Sequence, residues 1–331
     1  MQDYKRLQFN ELKFLIVFIE NLVVKKLYYH NLFAILYKRG DNMLRNILSE
    51  EYNEDTVKEI IEGYCKRITS FRINSLHPAS NPLKELDAHN IKYEQISWYN
   101  NAYIVLNNEE KIRELKCYEE GDIYLQSLSS MLPPLILAPQ VGDQILDMTA
   151  APGSKTSEIA ALTNNQTLIT AVEKNKQRKE RLKYNLNKLG VQKCNIIQAD
   201  ARHLDEWYRF DKILLDAPCS GSGTLEDIKS FDEDLYHRIT NLQKELIDKA
   251  VKLLKEGGEL VYSTCSILKN ENENIINYIL ENNNLELVNI PKDNYKEINL
   301  LPSTIKEALK VKPTKYYEGF FVCKLKKVSN R

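Results

Sequence analysis

No C-x-x-C pair occurs in the sequence, and the six cysteines, at 65, 117, 194, 219, 265 and 323, follow no metal-ligand spacing. Neither a structural zinc site nor a disulfide scaffold is expected, and a reduced, cytoplasmic compartment fits best. No cleavable leader is expected at the start. Net charge is absent as well, with 46 Lys and Arg against 46 Asp and Glu. Any nucleic-acid partner must therefore be held by a local patch and not by a uniformly basic coat. Long uninterrupted apolar runs are also missing. Residues 14–36 come nearest, but Glu20, Lys25, Lys26 and His30 interrupt them, whereas a spanning helix wants about 20 largely apolar residues. A packed amphipathic helix is the expectation there, with no membrane partner. The Gly40-Asp41-Asn42 break places the start of the compact fold near Met43. Finally, there is no internal repeat and neither G-x-G-x-x-G nor G-x-x-x-x-G-K-[ST], so the dinucleotide and P-loop fingerprints both fail.

What is present is 331 residues, 43% of them hydrophobic, enough for two domains. Residues 43–117 mix short helices with the β-like runs ITSFRIN, IKYEQISWY and AYIVL, which describes a small α+β domain. Over 118–331 apolar strands alternate with amphipathic helices. The strand runs begin at 144, 168, 195, 212, 259, 285 and 319, with helices around 155–162, 175–189, 235–255 and 271–282. Such alternation predicts an α/β fold with a doubly wound, mainly parallel sheet whose ligands sit at the carboxyl ends of the strands. Residues 1–42 are expected to be a helical extension and are left unassigned.

Polar residues just after the strands are then the candidates for a site. The first strand leads into Thr149, Ala150, Ala151, Pro152, Gly153, Ser154 and Lys155, small residues opening a helix whose N–H groups can meet an anionic group. The second strand ends at Glu173, where an acid can accept from ribose hydroxyls, and the third at Asp200, which can accept from an adenine amino group. The fourth runs into Asp216-Ala217-Pro218-Cys219 and the fifth into Ser263-Thr264-Cys265. Adjacent strands would bring both thiols to one rim, flanked by hydroxyl, Gly and Pro residues, a setting for reactive cysteine. No histidine stands in a base-and-nucleophile pattern with them, so a Cys-His hydrolase lacks its base.

These motifs resemble the RsmB/Nop family of S-adenosylmethionine-dependent RNA cytosine-C5 methyltransferases over roughly residues 60–327. LDMTAAPGSKT, VEKN, ADAR, DAPCSGSGT, the Leu242-Gln243-Lys244 helix, YSTCSI and Glu271-Asn272-Glu273 stand in family order. So do FRINSL, EGDIYLQSLSSML and the closing EGFFVCKLKK. Thr149 replaces the usual Cys and Ser154 the usual Gly, and the His often found after the Pro of VKPTKYYEGFF is missing.

The resemblance implies a Rossmann-like methyltransferase domain and a small RNA-binding domain carrying Lys66, Arg67, Arg72 and Asn74. S-adenosylmethionine would be held by residues 149–155, Glu173, Asp200 and Asp216. It implies Cys265 as the nucleophile that adds to cytosine C6, Asp216 at the N3/N4 edge of the base, and Cys219 in release. The partner is an RNA, ribosomal or transfer, met as a single-stranded or splayed base. DNA and membranes are not expected, and the chain is expected to be a monomer. A noncatalytic RNA-binding or ribosome-assembly factor on the same fold is the alternative. The run Lys174, Lys176, Arg178, Lys179, Arg181 and Lys183 reads as a solvated helix face before it reads as an RNA grip.

Overall fold

The structure is a computed structural model, and it describes residues 43–329. The interrupted apolar run at 14–36 lies outside the described residues, among which no helix is long and apolar enough to cross a membrane.

The larger sheet holds strands β5 (Gln144–Asp147), β6 (Leu168–Val172), β7 (Cys194–Ile197), β8 (Phe210–Asp216), β9 (Leu254–Thr264), β10 (Leu285–Val288), β11 (Leu309–Val311) and β12 (Phe320–Lys327). Its order is β7-β6-β5-β8-β9-β12-β10, with β11 on β12. From β7 to β9 all neighbours are parallel, and β12 runs antiparallel to β9 and β10. Chain order reverses beside β5, so a crevice opens there at the carboxyl ends of the strands. Helices α6 (Ser154–Leu162), α7 (Lys176–Lys188), α8 (Glu233–Leu253) and α9 (Glu273–Asn282) make the connections.

Local chemistry explains these elements. In α8, Asp232 caps the N-terminus by accepting from the Leu235 N–H, and Glu233 and Asp234 complement the dipole. Its apolar stripe, Tyr236, Ile239, Leu246, Ile247 and Ala250, recurs at helical spacing. α5 (Leu128–Leu137) was not evident in the sequence because Pro133 and Pro134 lie inside it. Pro134 deprives the Ser130 carbonyl of its helical donor, and the Gln126 side chain supplies one instead, at 3.2 Å.

The smaller sheet, β2-β3-β1-β4, is antiparallel and comprises β1 (Ser70–Ile73), β2 (Tyr93–Gln95), β3 (Ala102–Val105) and β4 (Ile123–Leu125). α3 (Pro82–Ala88) and α4 (Lys116–Glu119) complete its core of Phe71, Leu86, Ile91, Tyr103 and Ile123. Two corrections to the expected boundaries follow. β4 lies past residue 117, so the sheet is closed by a strand the sequence placed in the next domain. α1, helical over 43–51, and α2 (Glu54–Glu62) do not join this core. Leu44, Leu48, Val57 and Ile60 pack instead with Leu225, Ile228, Ile267 and Leu268 of the larger domain.

Under α1 lies an ion cluster. Lys310, 2% exposed, pairs with Glu273 at 3.0 Å and stands 4.0 Å from Glu51. Burial pushes the Glu51 carboxyl up to about 7, against the opposing charge of Lys310 and the Lys269 N–H. A group whose pKa is raised in the folded state contributes stability below its unfolded value, and that contribution is lost as pH rises through the folded value. Glu51→Gln removes this titration. Its stability relative to wild type should therefore improve between about pH 4.5 and 7, by roughly 1–3 kcal/mol, and stay level above that. Urea unfolding of both proteins at pH 5 and pH 8 checks it; a pH-independent difference counts against a titrating Glu51.

Candidate active site

The β8–β9 register sets the site. Asp216 lies opposite Ser263, and the Ser263 hydroxyl donates to Asp216 Oδ1 at 2.7 Å. Cys219 and Cys265 follow three and two residues later along paired parallel strands, and the turns bring their sulfurs to 2.9 Å. Both thiols are free and partly exposed. The hydrogen bond to Cys265 and burial, reinforced by the negative fields of Cys265 and Glu271, hold the Cys219 thiol well above its ordinary pKa. The two sulfurs are within hydrogen-bond reach, and either thiol can be the donor.

A buried hub fixes both turns. Glu271, fully buried, accepts from the Ser220 N–H at 2.7 Å, from Ser266 Oγ at 2.8 Å and from Gln243 Nε2 at 3.2 Å. One carboxylate thus ties the Cys219 turn, the Cys265 turn and α8. The Gly223 N–H donates to the Cys265 carbonyl at 2.9 Å, and the Gly319 N–H to the Gly223 carbonyl at 2.8 Å. A Cβ on Gly223 would stand 1.9 Å from the Gly319 carbonyl oxygen, so this three-layer backbone contact admits only glycine there.

Beneath the thiols, Lys155 pairs with Asp216 at 2.7 Å and donates to Ser130 Oγ at 2.8 Å. Burial would lower the Lys155 pKa, but the charge and hydrogen bond of Asp216, with Asp147 and Cys265 behind them, raise it, so the ammonium persists. Burial pushes Asp147 up to about 6 despite a 2.7 Å hydrogen bond from Thr156.

A cleft of about 710 Å³ adjoins the thiols, within the size range of small-molecule sites. Thr149 and Ala151 line it from the first loop, with Glu173, Asp200, Asp216, Cys219 and Cys265, and Met148, Val172, Ala199 and Leu246 supply apolar wall. Ala150, Pro152, Gly153, Ser154 and Lys155 are not part of that lining; Gly153, at φ 106°, turns the chain into α6 against Leu182. Glu173 accepts from the Asn175 N–H at 2.7 Å and faces Arg178 at 3.6 Å.

Asp200 is held by a residue that strand-end reasoning missed. Arg202 donates to it from its backbone N–H, Nε and NH2, and Lys174 donates at 2.9 Å. The Arg202 and Lys174 hydrogen bonds hold its carboxyl far below the usual carboxylate range. Of the two partners Lys174 is 70% exposed and the cheaper one to lose.

The basic residues expected to face RNA sit elsewhere. Arg72 is fully buried, 3.9 Å from Glu158 and donating to Ser157 and Gln126. Asn74 is buried and bridges the Gly121 and Leu189 carbonyls at 3.0 Å each. Arg67 caps backbone carbonyls of the Cys219 turn. Only Lys66 is exposed, paired with Glu109 at 2.5 Å. Buried charge and amide groups must be satisfied by fixed partners, and these residues join the two domains.

Sheet order, a cleft at the switch point and paired thiols at adjacent strand ends define a Rossmann-like methyltransferase fold with a two-cysteine site. Comparison with known proteins narrows this. Residues 134–326 match the family described as 16S rRNA methyltransferase RsmB/F, and the chain belongs to that family. It is 38% identical to ribosomal RNA small subunit methyltransferase F of Shewanella piezotolerans, over 79% of this chain and 58% of that protein. It is 33% identical to the human 28S rRNA (cytosine(4447)-C(5))-methyltransferase, over 90% of this chain and 39% of that protein. The chain thus spans about half the length of these relatives. A methyltransferase homolog protein from Pyrococcus horikoshii has the same fold, with TM-score 0.72 and 31% identity, covering 86% of this chain and 98% of that one.

Proposed function

We propose that the chain methylates C5 of a cytosine in ribosomal RNA, using S-adenosylmethionine and a covalent Cys265–C6 adduct. The observation that carries this is the pair of thiols 2.9 Å apart on the wall of the cleft lined by Glu173 and Asp200. Ribosomal RNA is preferred to transfer RNA because the relatives above are named for it.

The cleft fits the cofactor: two carboxylates at successive strand ends for ribose and adenine donors, apolar wall between them, and small residues where the first loop approaches. Glu173 would take the ribose hydroxyls and Asp200 the adenine amino group. When bound, the cofactor supplies an electrophilic methyl group.

Cytosine C5 is a weak nucleophile. Addition of the Cys265 thiolate to C6 forms an S–C bond and moves the ring's electron pair toward C5, N3 and O2. Asp216, fixed by Ser263 and Lys155, receives the N3/N4 edge of the base. Once C5 is methylated, Cys219, its own proton released to solvent, accepts the C5 proton; the C5–H electron pair re-forms the C5–C6 double bond as the C6–S bond breaks and the Cys265 thiolate leaves. On α7, Arg181, Lys183 and Tyr184 are exposed, a charge-and-stacking combination that suits single-stranded RNA.

Calorimetry with S-adenosylmethionine should show binding to the intact chain, weakened about 10- to 100-fold in Glu173→Ala, the equivalent of one lost charged hydrogen bond. Labelled methyl groups should pass to ribosomal RNA. No binding, or unchanged binding in Glu173→Ala, overturns the cofactor assignment; binding without transfer overturns the reaction.

A further inference from the structure

Residues 43–67 belong to neither sheet, yet their polar groups converge on the two cysteine turns. Arg67 reaches three successive carbonyls of the turn after Cys219: NH2 donates to Gly223 at 3.1 Å, and NH1 to Thr224 at 3.3 Å and to Leu225. On the other turn, the Tyr52 hydroxyl donates to the Ile267 carbonyl at 3.0 Å, and Glu51 accepts from the Lys269 N–H at 2.9 Å. Leu48 and Ile60 pack against Leu225 and Ile267, one residue from each turn. The turns meet directly through the Gly223 N–H and the Cys265 carbonyl.

We propose that residues 43–67 act as a brace that sets the separation of Cys219 and Cys265, with Arg67 and Tyr52 as positioning residues. The inference rests on the roles proposed for the two thiols. A planar guanidinium aimed at three carbonyls holds a turn in a way that the point charge of lysine does not reproduce. Tyr52 acts through one buried hydrogen bond while its ring stays packed beside Lys310, 5.1 Å from the ring centre. Neither side chain lines the cleft, so neither is placed to touch the cofactor. Thiol-to-thiol hydrogen bonding falls off steeply with distance, and Cys219 keeps its proton chiefly through that bond. A slackened brace therefore acidifies Cys219.

The test uses full-length Tyr52→Phe and Arg67→Lys. Alkylation of Cys219 and Cys265 by iodoacetamide is followed against pH by peptide mass spectrometry, alongside kcat, RNA KM and cofactor Kd. Alkylation of Cys219 should rise about tenfold at pH 8, one unit of acidification. kcat should fall about tenfold while RNA KM and cofactor Kd stay within about twofold. Wild-type alkylation profiles and kcat in both variants overturn the brace. If Arg67→Lys does not fold, Tyr52→Phe decides alone, since it removes a single oxygen. A wild-type chain that transfers no methyl group but whose variants show the alkylation shift refutes the proposed reaction and leaves the brace standing. An active wild type with unshifted variants does the reverse.

Discussion

Cys265→Ala should lose methyl transfer to ribosomal RNA by more than about 10⁴-fold, the scale seen when a covalent nucleophile is removed. Without addition at C6, C5 has no electron density to offer, and in the proposed reaction no group other than Cys265 adds there. Cofactor affinity should change little, because Cys265 is one of many residues lining the cleft. Transfer of a labelled methyl group, with calorimetry as the control for binding, checks both halves. Transfer within tenfold of wild type would mean that carbon methylation by this thiol is not the reaction.

Arg72→Met should cost about 2–3 kcal/mol in urea unfolding at pH 8: about 1.4 kcal/mol because Glu158, at about 7 in the wild type, must then stay protonated a unit above that value, and the rest from the lost hydrogen bonds to Ser157 and Gln126. Glu158 is fully buried, accepts from Gln126 at 2.8 Å, and is already pushed up to about 7 by burial despite Arg72. Losing Arg72 raises it further. A carboxyl with a raised folded pKa gives its stability below that value, so the deficit should shrink toward pH 5 as Glu158 takes up a proton. Adding Glu158→Gln should recover much of the loss at pH 8. A cost under about 1 kcal/mol, or one that ignores pH, would show that Arg72 is not neutralising Glu158.

The strand ends were the legible part of the site. Glu173, Asp200, Asp216, Cys219 and Cys265 each stand at or just after a strand, and doubly wound topology gathers such positions at one cleft. Side-chain period tells where a strand is but not what a charge near it does. The family resemblance implies an RNA surface at Arg67, Arg72 and Asn74; their partners lie 156, 85 and 115 residues away, a pairing no local pattern encodes. Arg202 lay in ADAR beside Asp200, yet its fork onto that carboxylate needed a turn seen only in three dimensions. α5 was hidden by its two prolines, and α1 and α2 were assigned to the small domain because sequence neighbours usually pack together. Glu271 stood in a recognised motif, but its part as the knot between the two cysteine turns depends on complete burial, which acidic residues rarely show.

The most direct measurement is the fate of Cys219→Ala with ribosomal RNA and S-adenosylmethionine, followed by denaturing electrophoresis, nuclease digestion and mass spectrometry of the protein. With the release thiol gone, addition at C6 still proceeds and the adduct persists. A protein–RNA species should therefore survive denaturation, carry a methylated cytosine on the peptide containing Cys265, and vanish in the Cys219→Ala, Cys265→Ala double variant. An adduct that persists in Cys265→Ala, or efficient turnover by Cys219→Ala with no adduct at all, would contradict this division of labour between the two thiols.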